Sequence, residues 1–324
     1  RCPLLRALPL MRECKLSTLN LTEEELTQTA RLVRHDILLM CNAAKSGHPG
    51  GPLSAADYLT ALWMNYLDCE PKNPFWEGRD RFVLSNGHCS ALNYALMAHR
   101  GYFSRGYLLT FRTLGTRLQG HPSKVKLPGV EVSTGSLGQG LSVAHGMALG
   151  ARMRGVPERT VFCNCGDGEL QEGNIWEAVM HAGHRETDNL VLSVDFNNAQ
   201  IDGYVENVKG IEPLADKFEA FRWRVHIANG HDMSDIVKAW EWALEGTPKR
   251  GHPCGQPSVI LFKTVMMEGT GEFENIPGWH GRPPKDDEVM KMLKALGFDY
   301  GSVEEARASL GEAVYDGYVP EEER

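Results

Sequence analysis

One stretch constrains this chain more than any other. The run Val161-Phe162-Cys163-Asn164-Cys165 stops at Gly166-Asp167-Gly168, and a helical pattern begins at about Gln171. A second apolar run, Leu190-Val191-Leu192-Ser193-Val194, then leads to Asn197 and Asn198. Strand, glycine turn, helix, strand and polar tip make one βαβ unit, and both tips fall where parallel strands end. Ligands of open α/β sheets bind along that carboxyl edge.

The residue types at the two tips suggest a ligand. Gly166 and Gly168 lack the Cβ atoms that would hold a phosphate away from the backbone. Amides opening the next helix can then face a diphosphate. That much negative charge calls for a bridging cation. Asp167 offers a carboxylate, Asn197 an amide oxygen, and a backbone carbonyl just beyond Asn197 a third oxygen. Such a set suits octahedral Mg²⁺, which keeps phosphate and water as its other ligands. Gly-Asp-Gly on its own reads as an ordinary tight turn, and Asn197 as a helix cap. The Asn-Asn pair at the end of the next strand turns the reading toward a site.

Elsewhere the punctuation is equally local. Thr22 and Glu25 form a capping box, followed by apolar residues at helical spacing from Leu26 to Ala44. His48-Pro49-Gly50-Gly51-Pro52 reads as a rigid loop before a second helix over about 54–67. His48 there is either solvent-facing or directed inward. Residues 80–85 read as a strand ending at Asn86-Gly87-His88, before a helix over 90–99. His88 could donate to a phosphate or merely cap its turn. Gln119-Gly120-His121-Pro122 carries a third loop histidine. Residues 133–140 form a glycine-rich turn into a helix reaching about Met153, and Gly135, Gly138 and Gly140 permit approach of a flat ring, or of helix to sheet. Further strands are expected over 223–227 and 257–262, separated by a helix over 233–244 with Trp240 and Leu244 inward. A long loop over 266–284 holds His280; such loops are usually functional or disordered. The tail from Asp286 reads as helical and acidic. One α/β domain with a parallel β-sheet flanked by helices on both faces follows.

Length and charge limit the alternatives. A chain of 324 residues can bury a large core. Its 34 basic and 42 acidic residues leave a formal charge of −8, without the basic cluster that nucleic acid requires. No apolar run approaches the eighteen or so residues of a membrane span. The eight cysteines include Cys163 and Cys165 on one face of a strand, but no second pair completes a zinc quartet. Isolated buried thiols in a reducing compartment fit, and the cytoplasm is the expected location. Residues 1–20 are set aside as an extension outside the fold, with Met11 an alternative start, and 21–324 as one domain.

Gly166-Asp167-Gly168 with Asn197-Asn198 resembles the thiamine-diphosphate fingerprint. With Gly47-His48-Pro49-Gly50, Ser85-Asn86-Gly87-His88, Gly120-His121-Pro122, Gly135-Ser136-Leu137-Gly138-Gln139-Gly140 and Trp279-His280-Gly281 beside it, the chain resembles transketolase from about Thr22 to Pro284. That resemblance implies a diphosphate-binding domain of the thiamine-diphosphate fold. Asp167, Asn197 and the Ala199 carbonyl would ligate Mg²⁺, and Gly168 and His88 would contact the diphosphate. Gly135, Ser136 and Leu137 would line the aminopyrimidine. His48, His121 and His280 would act on the reacting carbons, with His280 also near the diphosphate. Glu172 and Glu177 match interface glutamates. The implied activity is transfer of a two-carbon ketol unit between sugar phosphates, in the company of the pentose phosphate pathway. The chain stops where a full-length transketolase would begin its pyrimidine-binding half, so a split enzyme is expected: a hetero-oligomer with two of each subunit, inactive as this chain alone.

Departures accompany the resemblance. Met266-Met267-Glu268-Gly269-Thr270-Gly271 replaces the family's glycine- and lysine-rich loop, Cys89 stands where glycine is common, and Cys163-Asn164-Cys165 makes the core strand unusually polar. Rival readings are another thiamine-diphosphate carboligase, such as a deoxyxylulose-phosphate synthase or a 2-oxo-acid dehydrogenase subunit, and a non-catalytic cofactor-binding partner. The two Gly-His-Pro loops with His280 favour transketolase over both.

Overall fold

The structure is a computed structural model that describes residues 18–321. Among the described residues seven strands form in chain order: β1 (Arg81–Leu84), β2 (Val161–Gly166), β3 (Leu190–Phe196), β4 (Ala199–Gln200), β5 (Gly203–Tyr204), β6 (Arg224–Asn229) and β7 (Ser258–Lys263). Five make one sheet in the order β1-β2-β3-β7-β6, parallel throughout. β4 and β5 pair antiparallel as a separate small ribbon, which the sequence pattern does not announce.

Strand alternation sorts the sheet's side chains into two cores. Phe82, Leu84, Phe162, Val191, Ile260 and Phe262 belong to one. It is covered by the helices Glu23–Ala44, Ala56–Ala61, Ser90–Arg100 and Met233–Glu245. Val83, Cys163, Cys165, Leu192, Val194 and Leu261 belong to the other, under the helices Gln139–Met153 and Gly173–His184. Both faces are buried, which is why β2 and β3 read as continuous apolar runs. The polar Asn164 falls on the first face, where its Oδ1 accepts from Tyr58 Oη (2.9 Å) and Ser193 Oγ (2.8 Å). Its Nδ2 donates to Asn86 Oδ1 (3.1 Å), so a buried polar chain runs under the β1 tip.

Local signals explain the element ends. Glu25 N donates to Thr22 Oγ1 (3.2 Å) and Thr22 N to Glu25 Oε2 (2.8 Å), closing the expected capping box. Trp240 and Leu244 are buried as expected. The expected helix over 54–67 is three pieces: Gly50–Ser54, Ala56–Ala61 and a π-type turn, Leu62–Tyr66. It starts four residues early because Pro52 sits in its first turn, where no amide hydrogen is needed. The tail is helical at Asp286–Ala295 and Val303–Ala308 and irregular over 309–320. Among the described residues no helix is long and apolar enough to cross a membrane. Five unpaired cysteines are buried there and Cys254 is exposed, against the expectation of uniform burial. The reading of residues 1–17 lies outside the described residues; Leu19 N donates to Met64 O (2.6 Å).

Candidate active site

The tips of β2 and β3 meet. Their register pairs Gly166 with Asp195, and Asn198 N donates to Asp167 Oδ2 at 2.6 Å. Asn198 adopts a left-handed φ of 57°, which turns the chain out of β3 into the ribbon. Asp167 Oδ1 accepts from Gly168 N (2.7 Å). The Gly168 amide, expected to face a diphosphate, is therefore turned to its neighbour's carboxylate.

Beneath this tip lies a carboxylate that motif reading passes over. Asp195 is 2% exposed; it accepts from Ser54 Oγ (2.6 Å), Thr264 Oγ1 and Asn197 Nδ2 (2.8 Å). The last bond fixes which end of the Asn197 amide is oxygen, and that oxygen accepts from Ala199 N (2.8 Å). Burial and the neighbouring Asp195 push the Asp167 carboxyl up to about 8; burial raises Asp195 itself to about 6. Among the described residues the hydrogen bonds to this pair come from amides and hydroxyls, none from Lys or Arg. Two adjacent buried carboxylates without a cation are a costly arrangement that a divalent ion would relieve.

A second missed carboxylate, Glu169, joins three elements. It accepts from Gly138 N (2.8 Å), Gly166 N (3.4 Å) and Ser85 Oγ. The glycine turn 135–140 is thereby tied to the β1 and β2 tips. A Cβ on Gly140 would lie 2.4 Å from Ser85 Oγ, so there close approach of helix to sheet is what glycine serves. A Cβ on Gly87 would sit 2.7 Å from Gly135 N, bringing the His88 turn against Gly135, which leads into Ser136 and Leu137. Glu172, beside Gly138, and Glu177 are both exposed.

The histidines gather from four separate loops. Ring centroids of His48 and His88 are 5.4 Å apart, of His48 and His280 5.9 Å, and of His88 and His280 5.0 Å. His121 lies over the glycine turn, where a Cβ on Gly135 would meet its Cδ2 at 3.1 Å. Burial, His280, Arg112 and His121 lower His48 to about 4. Burial, His280, His48 and His121 lower His88 to about 3. His280 is lowered mainly by burial, and His121 by burial and then Arg112. Neutral imidazoles offer one donor and one acceptor each, which suits proton transfer at neutral pH.

The loop carrying His280 is packed down. Met266 and Met267 are fully buried, Met267 N donates to Gly50 O (3.3 Å), and Trp279 meets Phe273 edge-on at 5.3 Å. His231 Nδ1 donates to Asp57 Oδ2 (2.9 Å), which leaves its Nε2 to accept from Val265 N (2.8 Å), with Glu268 3.7 Å away. The two methionines and the Val265 amide on His231 thus anchor the segment.

These features define a class: an α/β domain with an acidic notch and an imidazole hollow side by side on the carboxyl edge of its sheet. The family described as "Transketolase, thiamine diphosphate binding domain" matches residues 22–319, and the chain belongs to it. The 6-deoxy-6-sulfo-D-fructose transketolase subunit SqwG of Clostridium sp. (strain MSTE9) is 42% identical over 250 residues, 77% of this chain and 88% of that protein. One subunit of the apulose-4-phosphate transketolase of Actinobacillus succinogenes is 36% identical over 278 residues, 86% of this chain and 98% of that one. Among solved structures, transketolase from Campylobacter jejuni superposes with a TM-score of 0.79 at 35% identity, covering 91% of this chain. The chain spans 46% of that transketolase's length.

Proposed function

We propose that this chain is the diphosphate-binding subunit of a split transketolase, which transfers a two-carbon ketol unit from a ketose to an aldose. A pyrimidine-binding subunit completes it, in an assembly with two copies of each. The observation that carries this reading is the juxtaposition of the Asp167–Asn197 notch with His48, His88 and His280, whose rings lie within 5.9 Å of one another. The subunit relatives support the split: the SqwG transketolase subunit is 42% identical, and the apulose-4-phosphate transketolase subunit is matched over 98% of its own length.

The residues present fit a magnesium diphosphate. Asp167, Asn197 Oδ1 and the Ala199 carbonyl would hold Mg²⁺ as an all-oxygen set. No group of three or more His, Cys, Asp or Glu is arranged for a metal among the described residues, and this proposed set holds only one such side chain. His88 would donate to the diphosphate, and Gly168 would let it approach closely. Gly135, Ser136 and Leu137 would line the aminopyrimidine. Thiamine diphosphate, when bound, supplies the electron sink for the two-carbon unit. This chain's part is geometry and protons. His280 and His48 contact the substrate carbonyl and the C3 hydroxyl, and His121 touches the donor's terminal hydroxyl or the cofactor amine. Glu172 and Glu177 face the partner. Both substrates are phosphorylated sugars, and five buried unpaired thiols suit the cytoplasm.

Purified chain with thiamine diphosphate and Mg²⁺ is expected to show no ketol transfer, and activity is expected to appear on adding a pyrimidine-binding transketolase subunit. Transfer by this chain alone contradicts the split reading.

A further inference from the structure

Arg112 has no place in the scheme above, yet it touches both Gly-His-Pro loops. Its Nη1 donates to Ser46 Oγ (2.8 Å), and its Nη2 to Gly120 O (3.1 Å) and His48 Nδ1 (3.4 Å). Ser46 is two residues before His48, and Gly120 one before His121. The guanidinium lies across the Gly120 backbone, where a Cβ would come within 3.2 Å of its Nε, and 5.3 Å from the Phe111 ring centroid. The Arg112 backbone takes a left-handed φ of 59°, and its amide donates to Leu118 O (3.0 Å). A bulky residue held in that region marks a position fixed by its surroundings.

Guanidinium has donors only and stays charged at any pH the fold survives. A ring nitrogen that meets it must be an acceptor. His48 Nδ1 is therefore bare, and the ring's single proton sits on Nε2. That edge of the ring faces the His280 loop: a Cβ on Gly281 would lie 3.1 Å from His48 Cδ2 and 3.4 Å from Nε2.

We propose that Arg112 is a positioning residue that clamps the His48 and His121 loops together and holds His48 as the neutral Nε2–H tautomer, a donor toward the reacting centre. The catalytic meaning rests on the functional reading above, but the clamp and the tautomer do not. The charged and titratable groups around His48 are Arg112, His88, His121 and His280; burial, His280, Arg112 and His121 disfavour its protonation, in the same direction.

The test is long-range ¹H–¹⁵N correlation spectroscopy of the full-length ¹⁵N-labelled chain, with His48 assigned by its loss in His48→Gln. Wild type should show the Nε2–H tautomer through pH 7. Arg112→Met should give a mixture of tautomers and a titration midpoint at least one unit higher, while Arg112→Lys should keep the low midpoint and lose the single tautomer. A merely structural arginine would leave tautomer and midpoint unchanged in folded Arg112→Met, and that result overturns the proposal. Should Arg112→Met not fold, wild type and Arg112→Lys decide: Nδ1–H in wild type, or an unaltered tautomer in Arg112→Lys, overturns it. Neither cofactor nor partner is needed. A reconstituted complex without ketol transfer would sink the functional reading and leave this result standing.

Discussion

The acidic notch and the imidazole hollow adjoin, but they are built differently. In the notch, Asp167, Asp195, Asn197 and Asn198 come from two neighbouring strand tips, and their bonds largely join residues close to the β2–β3 register. The hollow draws His48, His88, His121 and His280 from four loops scattered over more than two hundred residues, with packing and one arginine holding them. A site made by adjacent strand ends inherits the sheet's rigidity. A site made by loops depends on whatever pins each loop, so distant substitutions should disturb the hollow more readily than the notch.

The largest effect expected is on the hollow itself. With the partner subunit present, His280→Ala should lower kcat by about 10² to 10⁴, the usual range for a lost general acid–base group. Steady-state ketol transfer, with thermal unfolding as a control for folding, measures it. A loss of less than about threefold would favour the non-catalytic partner reading and would separate the two regions, leaving the notch as cofactor site and the hollow as packing.

For the notch, Asp195→Asn keeps the shape and removes the charge beneath Asn197. Substitutions just behind a metal ligand typically weaken affinity by about 10- to 100-fold. Mg²⁺ titration of cofactor binding in the assembled enzyme should show a loss in that range. Unchanged affinity would mean that the Asn197 amide is oriented without Asp195, and that the notch is less dependent on its underlying network than the bonds to Ser54 and Thr264 indicate.

The same contrast explains what could be read in advance. Gly166-Asp167-Gly168 and Asn197 are legible because glycine and polar residues at strand ends leave short, ordered spacings in the text. The strands carry their own signal, since burial on both faces demands unbroken apolar runs. Asp195 and Glu169 escape because a lone carboxylate near a motif looks like a surface residue until its donors, Ser54, Thr264, Gly138 and Ser85, arrive from elsewhere. Arg112 escapes for the same reason: its partners lie 66, 64 and 8 residues away in sequence. The break of the 54–67 helix is invisible to periodicity, because all three pieces remain buried.

Acid should strain the hollow before the sheet. His88, lowered to about 3 from an ordinary 6.5, stays neutral in the fold at pH values where the unfolded chain takes up a proton. Its contribution is complete above the ordinary value and is lost as pH falls through that value toward 3. At most it costs about 1.4 kcal/mol per pH unit. His48 acts in the same direction over 6.5 to about 4. The raised Asp167 and Asp195 carboxyls act in the opposite direction over this range, so the readout is a difference. The urea midpoint of His88→Asn should rise relative to wild type as pH falls from 7 to 5, which alters the slope. An unaltered slope in that variant would place the acid sensitivity outside the hollow.

The smallest effect belongs to the polar chain beneath the β1 tip. Tyr58→Phe removes one of two donors to Asn164 Oδ1 and leaves the ring stacked on Phe262 at 4.2 Å. Because Ser193 still satisfies the acceptor, the cost in unfolding free energy should be about 1 kcal/mol, within the ordinary worth of one hydrogen bond. A loss above about 3 kcal/mol would show that the Tyr58–Asn164–Asn86 chain acts as a unit. The His88 turn would then be held from below by the sheet as firmly as the notch is, and the distinction between a strand-built and a loop-built region would no longer apply to His88.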